Sequence, residues 1–331
     1  MAQNGEVRVG FIGTGGRARW HMERVTKMPE AQPVALVDTS ADAIAAAVQK
    51  VPSCAELPRY SDYRDMLREV RPDAVIISIP HTLHYEAIVA SLGQGAHVLV
   101  EKPMVCGVGE AHEVIRLRDE KRLVVSVGYQ RHYVGVWRWV HEHVAGGRFG
   151  PVHFIEAWQC QNWGGNGWRG VPELSGGGQL NDSGGHLVDI LLWSTGIRPN
   201  EVAAYQENRG LRVDRNSVIS FRFPEEGLGN ISIIGESQRK FDEGAQIWCR
   251  DARIRIDGMQ AAASLVVHKD RAAEEILPEQ RPDYPVDEDA NFIASILGRD
   301  VPQATAESGL EAVRFIDAVQ RSAQSGTPVR L

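Results

Sequence analysis

Apolar and polar positions follow two different rhythms along the chain. From Val7 to about residue 128, short apolar runs alternate with amphipathic stretches. Val7–Ile12 predicts a first strand, and a Gly-rich turn and a helix to about Met28 follow. Pro33–Val37 predicts a second strand ending at Asp38, with Ser40 as N-cap of an Ala-rich helix to Lys50. Ser61 is expected to open a helix whose Met66, Leu67 and Val70 share a face. Ala74–Ile79 is continuously apolar, as a strand buried on both faces should be. A helix over His84–Leu92, a strand at His97–Val100, a helix to Lys121 and a strand at Leu123–Val127 complete the series. Strands separated by helices of this length imply βαβ units and a doubly wound parallel sheet.

Beyond about residue 130 the period becomes two. Ile219, Phe221 and Phe223 alternate with Ser220 and Arg222; Ile254 and Ile256 alternate with Arg253 and Arg255; Ile231 and Ile233 flank Ser232. Consecutive half-buried strands predict a large, mainly antiparallel sheet with one open face. Helices are expected at about 132–145 and 184–194, and a surface loop over the charged, Pro-containing residues 270–289. Two helices close the chain, the last with Ala312, Val313, Ile316, Val319 and Ala323 on one face. The reading is therefore α/β followed by α+β: residues 1–128 as one domain and 129–331 as another, with the C-terminal helices able to pack back on the first.

The 331 residues suit about two domains with real cores. A formal charge of -7 gives no attraction for phosphate backbones, so nucleic acid is not an expected partner. The four cysteines at 54, 106, 160 and 249 show no C-x-x-C spacing, which argues against a zinc ribbon or a redox pair and fits a reducing, cytoplasmic setting. No window of 18 apolar residues and no basic N-terminal region occur, so neither a membrane span nor a signal peptide is expected.

Candidate chemistry begins at Gly13-Thr14-Gly15-Gly16-Arg17-Ala18, directly after the first predicted strand. Gly13 permits the tight turn, Gly15 lets a pyrophosphate approach the backbone, and Ala18 allows close helix–strand packing. Asp38 follows Ala18 by 20 residues, at the end of the second strand, where a carboxylate binds ribose hydroxyls and repels a 2′-phosphate. NAD is thereby favoured over NADP. Glu101-Lys102-Pro103 lies at the carboxyl end of another predicted strand, where open α/β sheets bind ligands. On position alone a surface-loop lysine remains open. In Gly176–Asp189, Asp182 and His186 are four apart, and a carboxylate beside an imidazole orients it. Taken alone, Asp182 reads as an N-cap and His186 as a satisfied core histidine. Among the tryptophans, Trp158 suits a core strand, whereas Trp163 and Trp168, set among Asn and Gly, suit a wall against a sugar ring, with Arg169, Asn162 and Asn166 available for hydroxyls.

In this order, GFIGTGG with Asp38, HVLVEKP at 97–103, GYQR at 128–131 and GGGQLNDSGGHLVD at 176–189 resemble the Gfo/Idh/MocA family of sugar, inositol and glycoside oxidoreductases. The resemblance implies an N-terminal Rossmann domain and a C-terminal domain built on an open sheet. It implies Lys102, Asp182 and His186 as catalytic residues and a cis Lys102–Pro103 bond. It implies NAD held by Gly13, Thr14, Gly15, Gly16, Arg17, Asp38, Ser78, Ile79, Pro80, His81, His84, Glu101, Lys102 and Gln130. A carbohydrate or polyol substrate would meet Lys102, Tyr129, Arg131, Trp163, Trp168, Arg169, Asp182 and His186. His84 matches the family's usual histidine; His81 departs from its small polar residue, and would either contact the nicotinamide ribose or cap the next helix. A metal held by His81 and His84 is not expected, for want of a partner carboxylate or cysteine. His141 and His143, two apart on a helix, read as surface residues. The family's reaction would be hydride transfer from a secondary alcohol to NAD; its alternative is a redox-neutral, NAD-retaining glycosidase working by oxidation, elimination and hydration. A homodimer or homotetramer would cover the open sheet face.

Overall fold

The computed structural model describes residues 5–238, 241–258, 262–282 and 284–331, which form two compact units. Residues up to 129, together with 286–310, make the first; residues 130–285 and 311–331 make the second.

In the first unit, β1 (Val7–Ile12), α1 (Gly16–Val25), β2 (Ala31–Val37), α2 (Ala41–Lys50), β3 (Arg59–Tyr60), α3 (Tyr63–Val70), β4 (Ala74–Ile77), α4 (His84–Gly93), β5 (His97–Val100), α5 (Val108–Lys121) and β6 (Val125–Val127) alternate along the chain. The six strands are parallel, in the order β3-β2-β1-β4-β5-β6. The order reverses between β1 and β4, which opens the crevice where such sheets take their ligands. Ser40 caps α2 as its sequence position suggests, accepting the Ala43 N–H at 3.2 Å. Ser61 does not cap α3; Asp62 does, its carboxylate accepting the Arg64 N–H at 2.8 Å.

In the second unit follow α6 (Gly135–Val140), β7 (Val152–Cys160), α7 (Pro172–Ser175), α8 (Gly185–Thr195), β8 (Glu201–Glu207), β9 (Asn216–Phe223), β10 (Gly227–Ile234), β11 (Asp242–Cys249), β12 (Arg253–Asp257), β13 (Ser264–Lys269) and β14 (Ala272–Glu275). Then come α9 (Glu288–Ile296), which belongs to the first unit, and α10 (Ala306–Ser325) and β15 (Val329–Arg330). The nine-stranded sheet runs β14-β13-β12-β11-β7-β10-β9-β8-β15 and is antiparallel except where β10 pairs with β7. Its alternation is the one read from the sequence: Ile219, Phe221, Phe223, Ile231, Ile233, Ile254 and Ile256 are buried. They are covered by helices, with the Ile233 side chain at Gly184 and the Phe315 ring edge-on to Phe221.

Several local expectations are corrected. The segment expected as a loop over 270–289 contains β14, an exposed edge strand whose own alternation is too polar to announce it. The helix expected at 132–145 is broken into a 3-10 turn (130–133), α6 and a π turn (141–145). His141 and His143 are not plain surface residues: their rings stack on Trp193 and Trp139, each with centroids 4.0 Å apart. Trp158 lies half-buried on the outer sheet face, over Gly244, rather than in the core.

Candidate cofactor and substrate sites

The first unit presents a nucleotide cradle. Gly13 sits at φ +93°, and a Cβ there would lie 2.3 Å from the Ser78 carbonyl oxygen, so β1 and the end of β4 approach only through glycine. At Gly15 and Gly16 a Cβ would meet nothing within 4 Å, leaving open space before the first turn of α1. That helix has no side-chain cap, so its first N–H groups remain directed at that space. Asp38, just past β2, accepts the Thr14 N–H (2.9 Å) and hydroxyl (3.0 Å) on Oδ2 and the Ser40 N–H (2.9 Å) on Oδ1. A carboxylate offers about four acceptor positions, so one remains for a ribose hydroxyl. Ser78 Oγ is buried without a hydrogen-bond partner at the mouth of the same crevice. These features fit a dinucleotide.

Three of the residues expected around the cofactor build the cradle through their side chains. Thr14 is fully buried against Asp38. Arg17 bridges Glu101 (2.5 Å) and Glu288 (2.6 Å). His84, fully buried, faces the Pro103 carbonyl with Nδ1 (2.7 Å) and the Ile79 carbonyl with Nε2 (3.0 Å). Burial lowers its pKa, against the pull of those two carbonyls. Pro80 precedes a 3-10 turn (His81–Leu83), and Leu83 holds the N-cap position of α4. The buried His81 ring lies 5.8 Å from that of His84. Lys102 is 9% exposed and its bond to Pro103 is cis.

His21 is the main residue that sequence reading missed here. It is 1% exposed, with Nδ1 2.6 Å from Asp289 and Nε2 3.0 Å from Glu101. Burial lowers its pKa, but Asp289 and Glu101 outweigh burial and raise it to about 10. Glu101 in turn is held well below the usual carboxylate range: burial opposes ionisation, and His21 and Arg17 overcome it. Among the described residues, His21, Glu288 and Asp289 offer metal-type ligands within 4.8 Å of one another, but Arg17 and Arg24 already neutralise the two acids. The signal available was the spacing of Arg17, His21 and Arg24, one helical face following the fingerprint.

In the second unit, Asp182 lies in a π turn (180–184), closed by the Gly184 N–H to the Gln179 carbonyl at 2.9 Å, and His186 lies in the first turn of α8. The pair therefore spans a π–α junction rather than one regular α-helical face. Asp182 Oδ2 accepts the indole N–H of Trp163 and the Nε–H of Arg169, both at 3.0 Å. Trp163 is 7% exposed, so its polar edge is tied to the carboxylate; Arg169 also lies over the Trp168 ring at 4.6 Å. Asp214, unremarked in the sequence, holds the approach to this turn: its oxygens accept the N–H groups of Gly178 (2.7 Å) and Leu180 (2.9 Å), and burial raises its pKa. Arg131 is buried and pairs with Glu243 at 2.9 Å; Gln159 reaches the same carboxylate. Glu243 and Gln159 occupy inward positions where the strand alternation calls for apolar side chains, and the departure from alternation in β7 and β11 marks this buried polar cluster. His132, beside the GYQR motif, is fully buried with Nε2 2.8 Å from Asp189. Tyr129 is buried in the first unit, and Gln130 opens the 3-10 turn of the second. All four cysteines are free, and no helix among the described residues is long and apolar enough to cross a membrane.

Comparison with known proteins agrees with this architecture. An uncharacterized oxidoreductase of Schizosaccharomyces pombe is 32% identical over 154 residues, 45% of this chain; the chain spans only 41% of that relative. The D-glucoside 3-dehydrogenase of Escherichia coli is 24% identical over 98% of this chain and 97% of its own. A levoglucosan dehydrogenase solved with NADH and levoglucosan superposes with a TM-score of 0.85 at 18% identity, over 98% of this chain and 99% of that one, and shows the shared fold. Residues 7–129 match the oxidoreductase family with an NAD-binding Rossmann fold, and residues 137–262 match its C-terminal domain. The chain belongs to the Gfo/Idh/MocA family of NAD-binding oxidoreductases.

Proposed function

We propose that this protein is an NAD-dependent dehydrogenase acting on a secondary alcohol of a sugar, inositol or glycoside. The observation that carries the substrate class is the Trp163–Asp182–Arg169 cluster: a carboxylate fixed by an indole and a guanidinium, beside the further aromatic surface of Trp168. Aromatic faces suit the C–H side of a sugar ring, and ionic donors and acceptors suit its hydroxyls. The full-length alignment with a D-glucoside dehydrogenase supports the same class.

Gly13, Gly15, Gly16 and Asp38 would hold NAD, with Thr14 and Ser78 shaping the pocket around it. Bound NAD supplies the hydride acceptor. His186 takes the proton of the reacting hydroxyl as a general base. Lys102 holds the oxygen as it becomes a carbonyl. Asp182, bonded to Arg169, binds a neighbouring hydroxyl or orients His186. A screen of NAD reduction against glycosides, inositols and aldoses tests the reading. NADH accumulation with at least one of them is the expected result. Aglycone release without net NADH would instead identify the redox-neutral route, and no turnover of any of them would overturn the proposal.

A further inference from the structure

The residues on either side of Lys102 are each gripped by a buried histidine. On one side, Glu101 Oε1 receives His21 Nε2 at 3.0 Å and Arg17 Nε at 2.5 Å, while Asp289 fixes the far side of the His21 ring at 2.6 Å. On the other side, the Pro103 carbonyl lies 2.7 Å from His84 Nδ1 and the Ile79 carbonyl 3.0 Å from Nε2; the neutral ring carries one N–H, which on Nδ1 donates to the nearer carbonyl, that of Pro103. Both rings are buried to within 1% exposure, so neither can trade its partners for water. The two come from helices that begin beside the nucleotide cradle: His21 from α1, which follows Gly13–Gly16, and His84 from the first residue of α4.

We propose that His21 and His84 are positioning residues that together fix the backbone through Glu101-Lys102-Pro103 and so aim the Lys102 amine. Neither touches substrate in this scheme. Each binds a neighbour of Lys102 and ties it to a helix that begins beside the cradle: Glu101 to α1 through Arg17 and His21, and the Pro103 carbonyl to the start of α4 through His84. The inference rests on the proposed role of Lys102 only for its kinetic consequence; the fixing of the amine stands by itself. A lysine side chain has four rotatable bonds, so its amine is placed only as well as its backbone is held. A displacement of about 1 Å in a reacting group can lower a rate by about a hundredfold.

The test uses the full chain with His21→Leu, His21→Gln, His84→Leu and His84→Gln. The glutamines keep one hydrogen-bonding arm; the leucines keep volume alone. Two readouts are combined: the rate at which acetic anhydride acetylates Lys102, measured by peptide mass spectrometry relative to exposed Lys50, and NAD affinity by calorimetry. With the leucine variants, Lys102 acetylation should rise at least about threefold relative to Lys50, and with the glutamine variants the rise should be smaller; NAD affinity should stay within about threefold in the His21 variants, whereas His84, whose side chain builds the cradle, is read by acetylation alone. On a substrate found in the screen above, kcat of the His21 variants should fall about 10- to 100-fold while the KM for NAD changes little. Should the leucine variants not fold, the glutamine variants carry the test, with a rise in Lys102 acetylation still expected. Folded variants with unchanged Lys102 acetylation overturn the inference. If Lys102→Ala itself keeps full activity while the histidine variants still raise acetylation, the catalytic reading of Lys102 fails and the positioning inference stands.

Discussion

Thr14 gives both its main-chain N–H (2.9 Å) and its hydroxyl (3.0 Å) to the same oxygen of Asp38. The carboxylate is thereby pinned against the turn between β1 and α1, and if this turn holds the cofactor as proposed, a 2′-phosphate would meet an acid there. Stripped protein should bind NAD more tightly than NADP in calorimetry. Asp38→Ala should weaken NAD about tenfold, the value of one charged hydrogen bond, and narrow the difference between the two cofactors. Tighter NADP binding by the unaltered protein would contradict this role for Asp38.

Lys102→Ala and His186→Ala should each lower kcat by about 10²–10⁴-fold, as loss of a proton-transfer or charge-holding group does, with NAD affinity within a few-fold. Their effects should not add in the double variant, because residues acting as one unit are disabled by losing either. Steady-state kinetics with calorimetric NAD titration checks both statements.

Asp182→Asn keeps the shape of the side chain but removes the charge that Arg169 and Trp163 address. It should lower kcat/KM about 10- to 100-fold, in line with loss of a charged hydrogen-bonding partner. Trp163→Phe, which leaves the carboxylate and removes one donor, should lower it less. If Asp182→Asn is silent in kinetics, the carboxylate is structural.

His21 makes stability depend on pH in a defined direction. Its pKa is about 10 in the folded protein, against an ordinary value near 6.5. Between these values the folded state binds the extra proton, so stability is fully present below about pH 6.5 and declines as pH rises towards 10. Glu101, shifted down, contributes stability that is lost only in acid. Thermal melts from pH 6 to 10 should show a decline in Tm that His21→Gln flattens. Equal slopes in both proteins would show that the ring is neutral when folded.

The outer face of the nine-stranded sheet carries Tyr205 at 80% exposure, Val218 at 52%, Leu228 at 42% and Ile234 at 40%. Alternation puts them on the face opposite the covering helices, together with half-buried Trp158. Such a patch favours self-association with closed symmetry. Light scattering should report a dimer or tetramer at micromolar concentration, and Val218→Glu with Leu228→Glu should shift it towards monomer. A monomeric parent protein would refute the expectation.

The two periodicities made the type of each sheet legible before any coordinates, but not every strand: β3 (Arg59–Tyr60) is two residues long, with no apolar run to announce it. β14 escaped because an exposed edge strand has no buried face to mark it. Glycine spacing and Asp38 located the cradle, but not that Thr14, Arg17 and His84 would bond to the protein itself. Those bonds join residues 24, 84 and 19 positions apart, and no local pattern encodes such distances. The π turn at 180–184 was also hidden: the sequence shows Asp182 and His186 four apart, and only the backbone shows which helical form separates them.

Phe292 and Ile293 of α9 pack into the same apolar cluster as Val9, Phe11, Met22 and Leu99. The first unit therefore begins at the amino end of the chain but acquires the last pieces of its core after roughly 160 further residues have been made, about 8 to 30 s of synthesis at the usual rates. During that interval the nascent first unit lacks the Phe292 and Ile293 side chains that complete this cluster. Ribosome-bound chains halted near residue 200 should be cut by protease within the first unit, whereas chains halted with residues 286–310 clear of the exit tunnel should resist.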